Sequence, residues 1–290
     1  MELMKEPAGM EYNTMISVDE LQAIIDNDNV RVFDCSFSLK DPQGGLKNYQ
    51  AGHLPQAQFA DMDTQLSSAM TDTSGRHPLP DPDVFIQQLQ AWGVNNDTQV
   101  IAYDDISGAF AARLWWMMRW VGHNKVAVLD GGMQKWTEQG LSLSQDDVQF
   151  PSSEFSGQPH MDWLMDIDTV TSKLSNNEIT LIDARAADRF TGKDQKTDPV
   201  PGHVPGAKNL PFGGNLTQDG YMQDAQVITE RFNSVIQDQS LENVVNMCGS
   251  GVTACHNLLA QAVAGMPPTK IFIGSWSQWI KDPSRSVETG

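Results

Sequence analysis

One cysteine near the end of the chain combines the features that make a thiol reactive. Cys248 follows an apolar, β-branched run at residues 241–247 and precedes a Gly-Ser-Gly turn at residues 249–251. The run predicts a buried strand, and residues 254–264 predict a helix that ends before a glycine. The positive end of that helix and the inward N–H groups of the turn stabilise a thiolate. We therefore interpret Cys248 as a nucleophile.

Two other roles compete with nucleophilic catalysis for Cys248. A buried structural cysteine beside an ordinary turn is the common role of a lone cysteine. A cysteine phosphatase has a similar loop, but that loop ends in an arginine that binds the phosphate. Here Ala254 and Cys255 lie where the cation would be needed. The sequence therefore disfavours phosphate chemistry.

The composition limits the classes of protein and partner. The 290 residues suffice for one large domain or two ordinary ones, and no apolar run is long enough to span a membrane. A formal net charge of -18 disfavours nucleic acids and anionic membranes as partners, because both are negatively charged. The first residues lack the basic and apolar regions of a signal peptide.

The cysteines indicate a reducing compartment. Cys35, Cys248 and Cys255 form no Cys-x-x-Cys pair, so neither a disulfide framework nor a zinc site is expected. We therefore expect a cytoplasmic protein with no metal and no cofactor. A small anionic substrate would need local cations, since the chain as a whole repels it.

The chain repeats itself once, at a spacing near that of a whole domain. The same short segments occur in the same order in both halves, including two copies of a Gly-His-x-Pro motif. The paired segments are residues 31–34 and 180–183, 52–57 and 202–207, 100–104 and 244–248, and 131–136 and 274–279. Asp104 occupies the first-half position of Cys248. The first half therefore lacks the nucleophile.

Both halves alternate short apolar strands with helical stretches, which predicts an α/β fold. Each half should be a domain with a mostly parallel central sheet and helices on both faces. We place the domains at residues 10–142 and 161–285, joined by a polar linker at residues 143–160. The clearest elements are helices at 19–26, 82–92 and 109–121, and strands at 100–103 and 126–129. Ligands bind such sheets at the carboxyl ends of the strands, where Cys248 lies.

From Ser17 to Trp279 the chain resembles the two-domain rhodanese family of sulfurtransferases. The paired Gly-His-x-Pro segments, the Cys248 loop and the Gly-Ser-Trp segment at 274–276 carry the resemblance. It implies a silent first domain and a catalytic second domain. Family members that use thiosulfate carry Arg and Lys after the cysteine. The neutral turn at 249–251 resembles instead the branch that uses 3-mercaptopyruvate.

The resemblance also implies a two-step mechanism and its partners. The cysteine would take a sulfur atom from the small-molecule donor and hold it as a persulfide. A thiol such as reduced thioredoxin, or cyanide, would then accept that sulfur. The loop N–H groups, which belong to Gly249, Gly251, Val252 and Thr253 among others, would hold the anionic sulfur and the donor. A monomer with neither nucleic acid nor membrane as a partner is expected.

A proton relay is implied by the same resemblance. It corresponds here to Ser250, His77 and Asp63, with Asp61 as the alternative carboxylate. Because His77 and the aspartates belong to the first half, the site would be built across the domain interface. From the residues alone, His77 is an exposed loop histidine, and Ser250 only shapes its loop.

The donor carboxylate should meet cations. The resemblance assigns one such role to Arg189, whose planar fork suits a carboxylate. A second arginine is expected six residues before the second Gly-His-x-Pro motif, and this chain has Lys196 there. Lysine keeps the charge and loses the bidentate geometry. Arg185 is a further possibility, although a structural ion pair at a strand end suits it better.

Two alternatives to a 3-mercaptopyruvate enzyme stay open on the sequence. One keeps the chemistry and uses thiosulfate as donor. The other is a persulfide carrier or redox sensor that does not turn over free donor. Several other residues of types common in active sites are interpreted as structural. We expect His53 and His203 to bond their own loops, Trp115, Trp116 and Trp120 to pack the core or the domain interface, and Cys255 to be buried.

Overall fold

Two parallel β-sheets, one in each half of the chain, form the framework of the molecule. The computed structural model describes residues 11–290, so the expected domain start at residue 10 and the first residues lie outside the described part. The strands are β1 (Met15–Ile16), β2 (Val30–Asp34), β3 (Ala57–Phe59), β4 (Gln99–Tyr103) and β5 (Val126–Leu129) in the first half, and β6 (Thr180–Asp183), β7 (Lys208–Asn209), β8 (Val244–Met247) and β9 (Lys270–Ile271) in the second.

The sheets have the strand orders β1-β5-β4-β2-β3 and β7-β6-β8-β9. Every pairing between these strands is parallel. The helices are α1 (Val18–Ile24), α2 (Gly44–Ala51), α3 (Pro82–Ala91), α4 (Ala111–Trp120), α5 (Gly132–Glu138), α6 (Ile167–Ser175), α7 (Ala187–Phe190), α8 (Ala225–Ile236), α9 (Ala254–Val263) and α10 (Ser275–Trp279). The predicted α/β fold with two tandem domains is confirmed.

Most predicted elements lie within two residues of their expected bounds, and one strand is shorter. The apolar run at 241–247 was expected to be extended throughout, but Leu241–Asn243 forms a single 3-10 turn and β8 begins at Val244. The physical reason is local, since Glu242 and Asn243 are poor strand formers. The four residues that remain are all buried, as a central parallel strand requires.

The two central strand pairs end at equivalent places. Asp34 pairs with Tyr103 at the end of β2 and β4, and Asp183 pairs with Met247 at the end of β6 and β8. Asp104 and Cys248 follow directly on β4 and β8, so each begins the loop at the carboxyl edge of its sheet. The repeat found in the sequence is therefore a repeat of the fold.

Helices α4 and α9 join the halves. They pack against each other, and one hydrophobic core contains buried residues from both. Trp115, Trp116 and Trp120 are almost fully buried in this core, and the rings of Trp116 and Trp120 stack 5.9 Å apart. The expected packing role of these tryptophans is confirmed. Because both helices begin at the loops after β4 and β8, their packing brings the two loop ends together.

The segment 143–160 runs without helix or strand along the first half. Ser144 forms an antiparallel bridge with His53, and the Ser153 N–H donates to the Gln90 carbonyl at 2.9 Å. Phe155 is buried. The segment is thus packed on the first half over its length. Within residues 11–290, no helix is long and apolar enough to cross a membrane.

Candidate active site

Cys248 lies in a tight turn between β8 and α9, with its side chain 2% exposed. The Gly251 N–H points at the sulfur, with 3.2 Å between the nitrogen and Sγ. Gly251 has a φ of +78°, and a Cβ there would lie 2.4 Å from the Ile273 carbonyl oxygen. Only glycine fits this position without displacing the backbone behind it.

The turn and the start of α9 carry further N–H groups without partners. Within residues 11–290, the amide N–H groups of residues 249, 250, 252, 253 and 254 have no hydrogen-bond acceptor. Helix α10 holds the loop from the other side. The Ser275 hydroxyl accepts the Cys248 N–H at 3.1 Å, and the Trp276 and Ser277 N–H groups donate to the carbonyls of Cys248 and Gly249. A rigid turn with unsatisfied N–H groups can bind an anion.

The equivalent loop of the first half contains its own anion. The buried Asp104 carboxylate accepts four backbone N–H groups, from Ile106, Gly108, Phe110 and Ala111, at 2.7 to 2.9 Å. In aspartate one atom, Cγ, lies between Cβ and each carboxylate oxygen. In a cysteine persulfide one atom, Sγ, lies between Cβ and the outer sulfur. This loop architecture therefore presents four N–H donors to an acceptor atom at that distance from the backbone.

Ser250, His77 and Asp63 form a continuous hydrogen-bonded chain beside the cysteine. The His77 Nδ1 and Ser250 Oγ atoms are 2.7 Å apart, and His77 Nε2 is 3.2 Å from Asp63 Oδ1. The imidazole is 2% exposed, which is the opposite of an exposed loop histidine. The three residues named from the sequence are brought together in the predicted order.

The protonation of the chain follows from its surroundings. Burial, with Arg113 and Arg76 nearby, lowers the pKa of His77 to about 3, so the ring is neutral. A neutral imidazole donates through one nitrogen only. Its N–H lies on Nε2 facing the Asp63 carboxylate, and Nδ1 therefore accepts the Ser250 hydroxyl proton. Burial first, and Asp61 second, raise the pKa of Asp63.

Asp61, the alternative carboxylate, has a different task. Its Oδ1 accepts the backbone N–H groups of Asp63 at 2.8 Å and Thr64 at 2.9 Å. These bonds form a turn that presents Asp63 to His77. The structure therefore brings Asp63, and not Asp61, to the imidazole.

The segment that carries His77 is docked on the second half. A Cβ on Gly75 would lie 2.4 Å from the Gly274 carbonyl oxygen, so the two backbones touch. The Arg76 N–H donates to the Ser277 hydroxyl at 2.9 Å, and Gln278 donates to the Thr73 carbonyl. The site is built across the domain interface, as the sequence led us to expect.

Arg113 is a buried residue of the site that the sequence interpretation missed. It is 0% exposed, and its guanidinium donates to the carbonyls of Gly251 at 3.0 Å, Leu66 at 3.1 Å and His77 at 3.2 Å. One cation of the first half thus fixes both the cysteine turn and the histidine. The available sequence signal was an arginine in the first turn of helix α4, which is apolar apart from its two arginines.

Arg189 lies at the loop but is held by a carboxylate. Its Nε and Nη2 donate to the two oxygens of Asp198 at 2.9 and 2.8 Å. Asp198 also accepts from the buried Arg185, which itself pairs with Asp183. The expected ion-pair role of Arg185 agrees with this geometry. Asp198, which no sequence signal singled out, orients the Arg189 fork.

Arg76 is the second guanidinium at the cysteine turn. A Cβ built on Gly249 would lie 2.7 Å from Nη2 of Arg189 and 3.5 Å from Nη2 of Arg76. Within residues 11–290, Arg76 has no carboxylate in ion-pair contact, and its buried Nε has no acceptor. Lys196 is exposed, and its backbone N–H bonds Asp194 in a surface turn. The second cation therefore comes from the first half of the chain.

The remaining candidates have structural contacts. The Nδ1 atoms of His53 and His203 lie 2.9 and 2.8 Å from the carbonyls of Tyr49 and Phe190, and each ring stacks on that neighbour's ring. Cys255 is buried, and burial raises the pKa of its thiol to about 12. Among the described residues 11–290, no cluster of His, Cys, Asp and Glu could hold a metal ion.

Comparison with known proteins identifies the family of this architecture. The rhodanese-like domain profile matches the chain twice, at residues 17–139 and 166–282. The chain belongs to the rhodanese family. Both copies of the rhodanese domain include a loop at the carboxyl edge of their sheet, and only the second includes the cysteine.

Individual relatives extend over almost the whole chain. A protein of Pseudomonas aeruginosa named "Probable 3-mercaptopyruvate sulfurtransferase" is 42% identical over 283 residues, covering 97% of this chain and 100% of that protein. The thiosulfate sulfurtransferase of Rattus norvegicus is 30% identical, with 96% of each protein covered. The structure of 3-mercaptopyruvate sulfurtransferase from Leishmania major matches with a TM-score of 0.81 and 31% identity, covering 91% of this chain and 73% of that one. The expectation of a sulfurtransferase is thereby confirmed at the level of enzyme class.

Proposed function

We propose that this rhodanese transfers sulfur from 3-mercaptopyruvate to Cys248 and releases pyruvate. The observation that carries the proposal is the contact of the relay with the cysteine turn, where Ser250 is both a loop residue and the partner of His77. A donor whose leaving group must be protonated needs such a relay. The neutral residues of the turn suit a donor with a single carboxylate.

The first step is a displacement at sulfur. The Cys248 thiolate attacks the donor sulfur, an S–S bond forms, and the bond between that sulfur and the CH₂ carbon breaks with its electron pair. The donor's thiol proton passes to the Ser250 oxygen as the serine proton moves to His77 Nδ1. The reverse movement delivers a proton to the enolate carbon, giving pyruvate and an anionic persulfide. Asp63 stabilises the transient imidazolium.

Two arginines would hold the donor's carboxylate. Arg189 is oriented by Asp198, and Arg76 has an unengaged fork next to the same glycine. A guanidinium binds a carboxylate through two parallel hydrogen bonds. Lys196, to which the sequence assigned this task, has its side chain in solvent instead. We therefore propose Arg76, in place of Lys196, for the second position.

The second step returns the sulfur to an acceptor. The unengaged N–H groups of Gly249, Val252 and Thr253 would hold the anionic outer sulfur, with Gly251 donating to Sγ. The four donors around the Asp104 carboxylate support this use of the loop. Cyanide attacks the outer sulfur, leaving thiocyanate and the thiolate, while a thiol such as that of reduced thioredoxin forms a new persulfide or a disulfide with release of sulfide. A monomer would be sufficient for this reaction, since one chain supplies the nucleophile, the relay and both arginines.

Thiosulfate is the second candidate donor, and one observation favours it. Two guanidinium groups beside a neutral turn can neutralise a dianion as well as a monoanion. The test is kcat/KM for 3-mercaptopyruvate and thiosulfate side by side, with cyanide as acceptor and Cys248→Ser as blank. A clear preference for 3-mercaptopyruvate supports the proposal, and a preference for thiosulfate replaces it. Turnover of neither donor would leave a persulfide carrier as the function.

A further inference from the structure

A separate cavity lies between the halves, at the far end of the helix pair from Cys248. Its volume is about 230 Å³, and its walls include Trp115, Trp116 and Trp163. Helices α4 and α9 both begin at the active-site loops, and the cavity faces their second halves. Along α9, Gln261 on the cavity wall lies about 10 Å from the start of the helix at Ala254, where the active-site turn ends. The cavity is therefore distinct from the site that holds the donor.

An amide with an unpartnered N–H group lines this cavity. Gln261 lines it, is 2% exposed, and has no hydrogen-bond partner for its Nε2 among the described residues 11–290. Its Oε1 accepts the Thr269 hydroxyl at 2.6 Å, and that hydroxyl accepts from Asn246 at 3.0 Å. Because the amide oxygen is engaged, the N–H group is the end of this side chain that is left for a ligand in the cavity. A buried donor without an acceptor costs free energy until a ligand supplies one.

The second polar group of the cavity is a cation. Arg119 lies over the Trp115 ring, with 5.0 Å from its Cζ to the ring centroid, and donates to the Asn13 carbonyl. No carboxylate contacts Arg119 in the described part of the chain, although acidic residues outnumber basic ones in the sequence by 37 to 19. Arg119 and Gln261 both offer donors to the cavity, and the other polar residues of its lining, Asn13, Thr14 and Thr269, carry no charge. A complementary ligand therefore presents acceptors, carries negative charge, and has a flat apolar body.

We infer that this cavity binds a planar aromatic monocarboxylate. The ring of such a ligand packs against the indoles of Trp116 and Trp163, whose centroids are 6.5 Å apart. Its carboxylate pairs with Arg119 and accepts the Gln261 N–H. Through Thr269 the same amide is linked to Asn246, which lies on β8 two residues before Cys248. The ligand thus contacts a hydrogen-bond chain that ends at the strand carrying the nucleophile.

Phenylacetate is a suitable probe, and phenylacetamide is its uncharged control. Calorimetric titration of the full chain is expected to give saturable 1:1 binding of phenylacetate and at least about tenfold weaker binding of the amide. Arg119→Met should weaken phenylacetate binding by about tenfold or more, and Gln261→Leu should weaken it too. Arg31→Met is the matched control, because Arg31 also lies over an aromatic ring, that of Phe150, outside the cavity.

Three results would overturn the inference. The first is no saturable binding to the wild-type chain, and the second is equal binding of phenylacetate and phenylacetamide. The third is binding that survives Arg119→Met but is lost in Arg189→Met, which would locate the carboxylate at the donor site. An Arg119 with only a structural role would lower the unfolding midpoint when replaced and leave phenylacetate affinity unchanged. None of these outcomes depends on which donor the enzyme uses.

Discussion

At the scale of single residues, the reactive group and its proton relay come from opposite halves of the chain. Cys248 and Ser250 belong to the turn after β8, whereas His77 and Asp63 come from the first half. The neutral imidazole takes its tautomer from the carboxylate and thereby becomes an acceptor for the serine. This order of donors suits a serine that exchanges protons with a substrate, rather than one that only shapes the loop.

Replacing Ser250 or His77 should affect the two donors differently. Ser250→Ala and His77→Gln are expected to lower kcat for 3-mercaptopyruvate by about 100-fold, within the usual range of acid–base catalysis. Turnover of thiosulfate should change much less, because sulfite leaves without needing a proton. Steady-state kinetics with both donors gives the comparison, and alkylation of Cys248 checks that the turn is intact. Equal losses with both donors would show that Ser250 and His77 do not act as a proton relay for the leaving group of 3-mercaptopyruvate.

Arg76 should control donor affinity. Arg76→Met removes the unengaged guanidinium at Gly249, so KM for 3-mercaptopyruvate is expected to rise about tenfold or more with little change in kcat. Lys196→Met is the matched control and should leave both constants unchanged, since that side chain lies in solvent. An effect of Lys196→Met as large as that of Arg76→Met would show that the second cation was assigned to the wrong residue.

The buried histidine makes stability depend on pH. Burial lowers the pKa of His77 from 6.5 to about 3, so between these values the unfolded chain binds more protons than the folded chain. The contribution is complete above about pH 6.5 and is lost as pH falls toward about 3. Urea unfolding at pH 7.5 and pH 5 should therefore show a smaller pH-dependent loss for His77→Gln than for wild type. Identical losses would mean that His77 does not titrate on unfolding.

At the scale of elements, helix α4 does more than fill the interface. Its Arg113 bonds three carbonyls that belong to the cysteine turn, the histidine segment and the loop before it. The two parts of the active site are thus fixed to one side chain of a helix that carries no reacting group.

Loss of this buried cation should destabilise the protein. Arg113→Met leaves the buried carbonyls of Leu66 and His77 without donors and leaves that of Gly251 with only the weak S–H donor of Cys255. It is expected to lower the free energy of unfolding by about 3 kcal/mol or more. Arg119→Met on the same helix is the control, since Arg119 is only half-buried and makes one hydrogen bond. Chemical denaturation of the two variants gives the comparison. Similar small changes in both would mean that Arg113 is not the fixing contact proposed here.

The sequence predicted elements well where a local signal was strong. The helices expected at residues 19–26 and 82–92 begin at Val18 and Pro82, where the side chains of Ser17 and Asp81 cap them. The turn after β8 was predicted from its glycines. Arg113 and Arg76 were missed because their roles depend on contacts between segments far apart in the chain. Lys196 was assigned by counting along the sequence, and the fold directs that side chain into solvent. Spacing along a loop does not determine which side the loop exposes.

At the scale of the whole molecule, duplication of one fold has produced two loops with different contents. The first holds the fixed carboxylate of Asp104, and the second holds Cys248 with unengaged N–H groups around it. The first half supplies the relay, Arg76 and Arg113 instead of a nucleophile. The repeat and the family could be read from the sequence, whereas the interface that assembles the site required the fold.

The central claim is that Cys248 takes the sulfur of 3-mercaptopyruvate and holds it as a persulfide. The most direct measurement is the intact mass of the protein after exposure to the donor without an acceptor, with pyruvate assayed in the same sample. We expect a gain of one sulfur atom per chain, located on the peptide containing Cys248, and one equivalent of pyruvate. We also expect that cyanide restores the original mass and that Cys248→Ser gains nothing. Pyruvate release without a sulfur adduct, or an adduct on Cys35 or Cys255, would contradict the central claim.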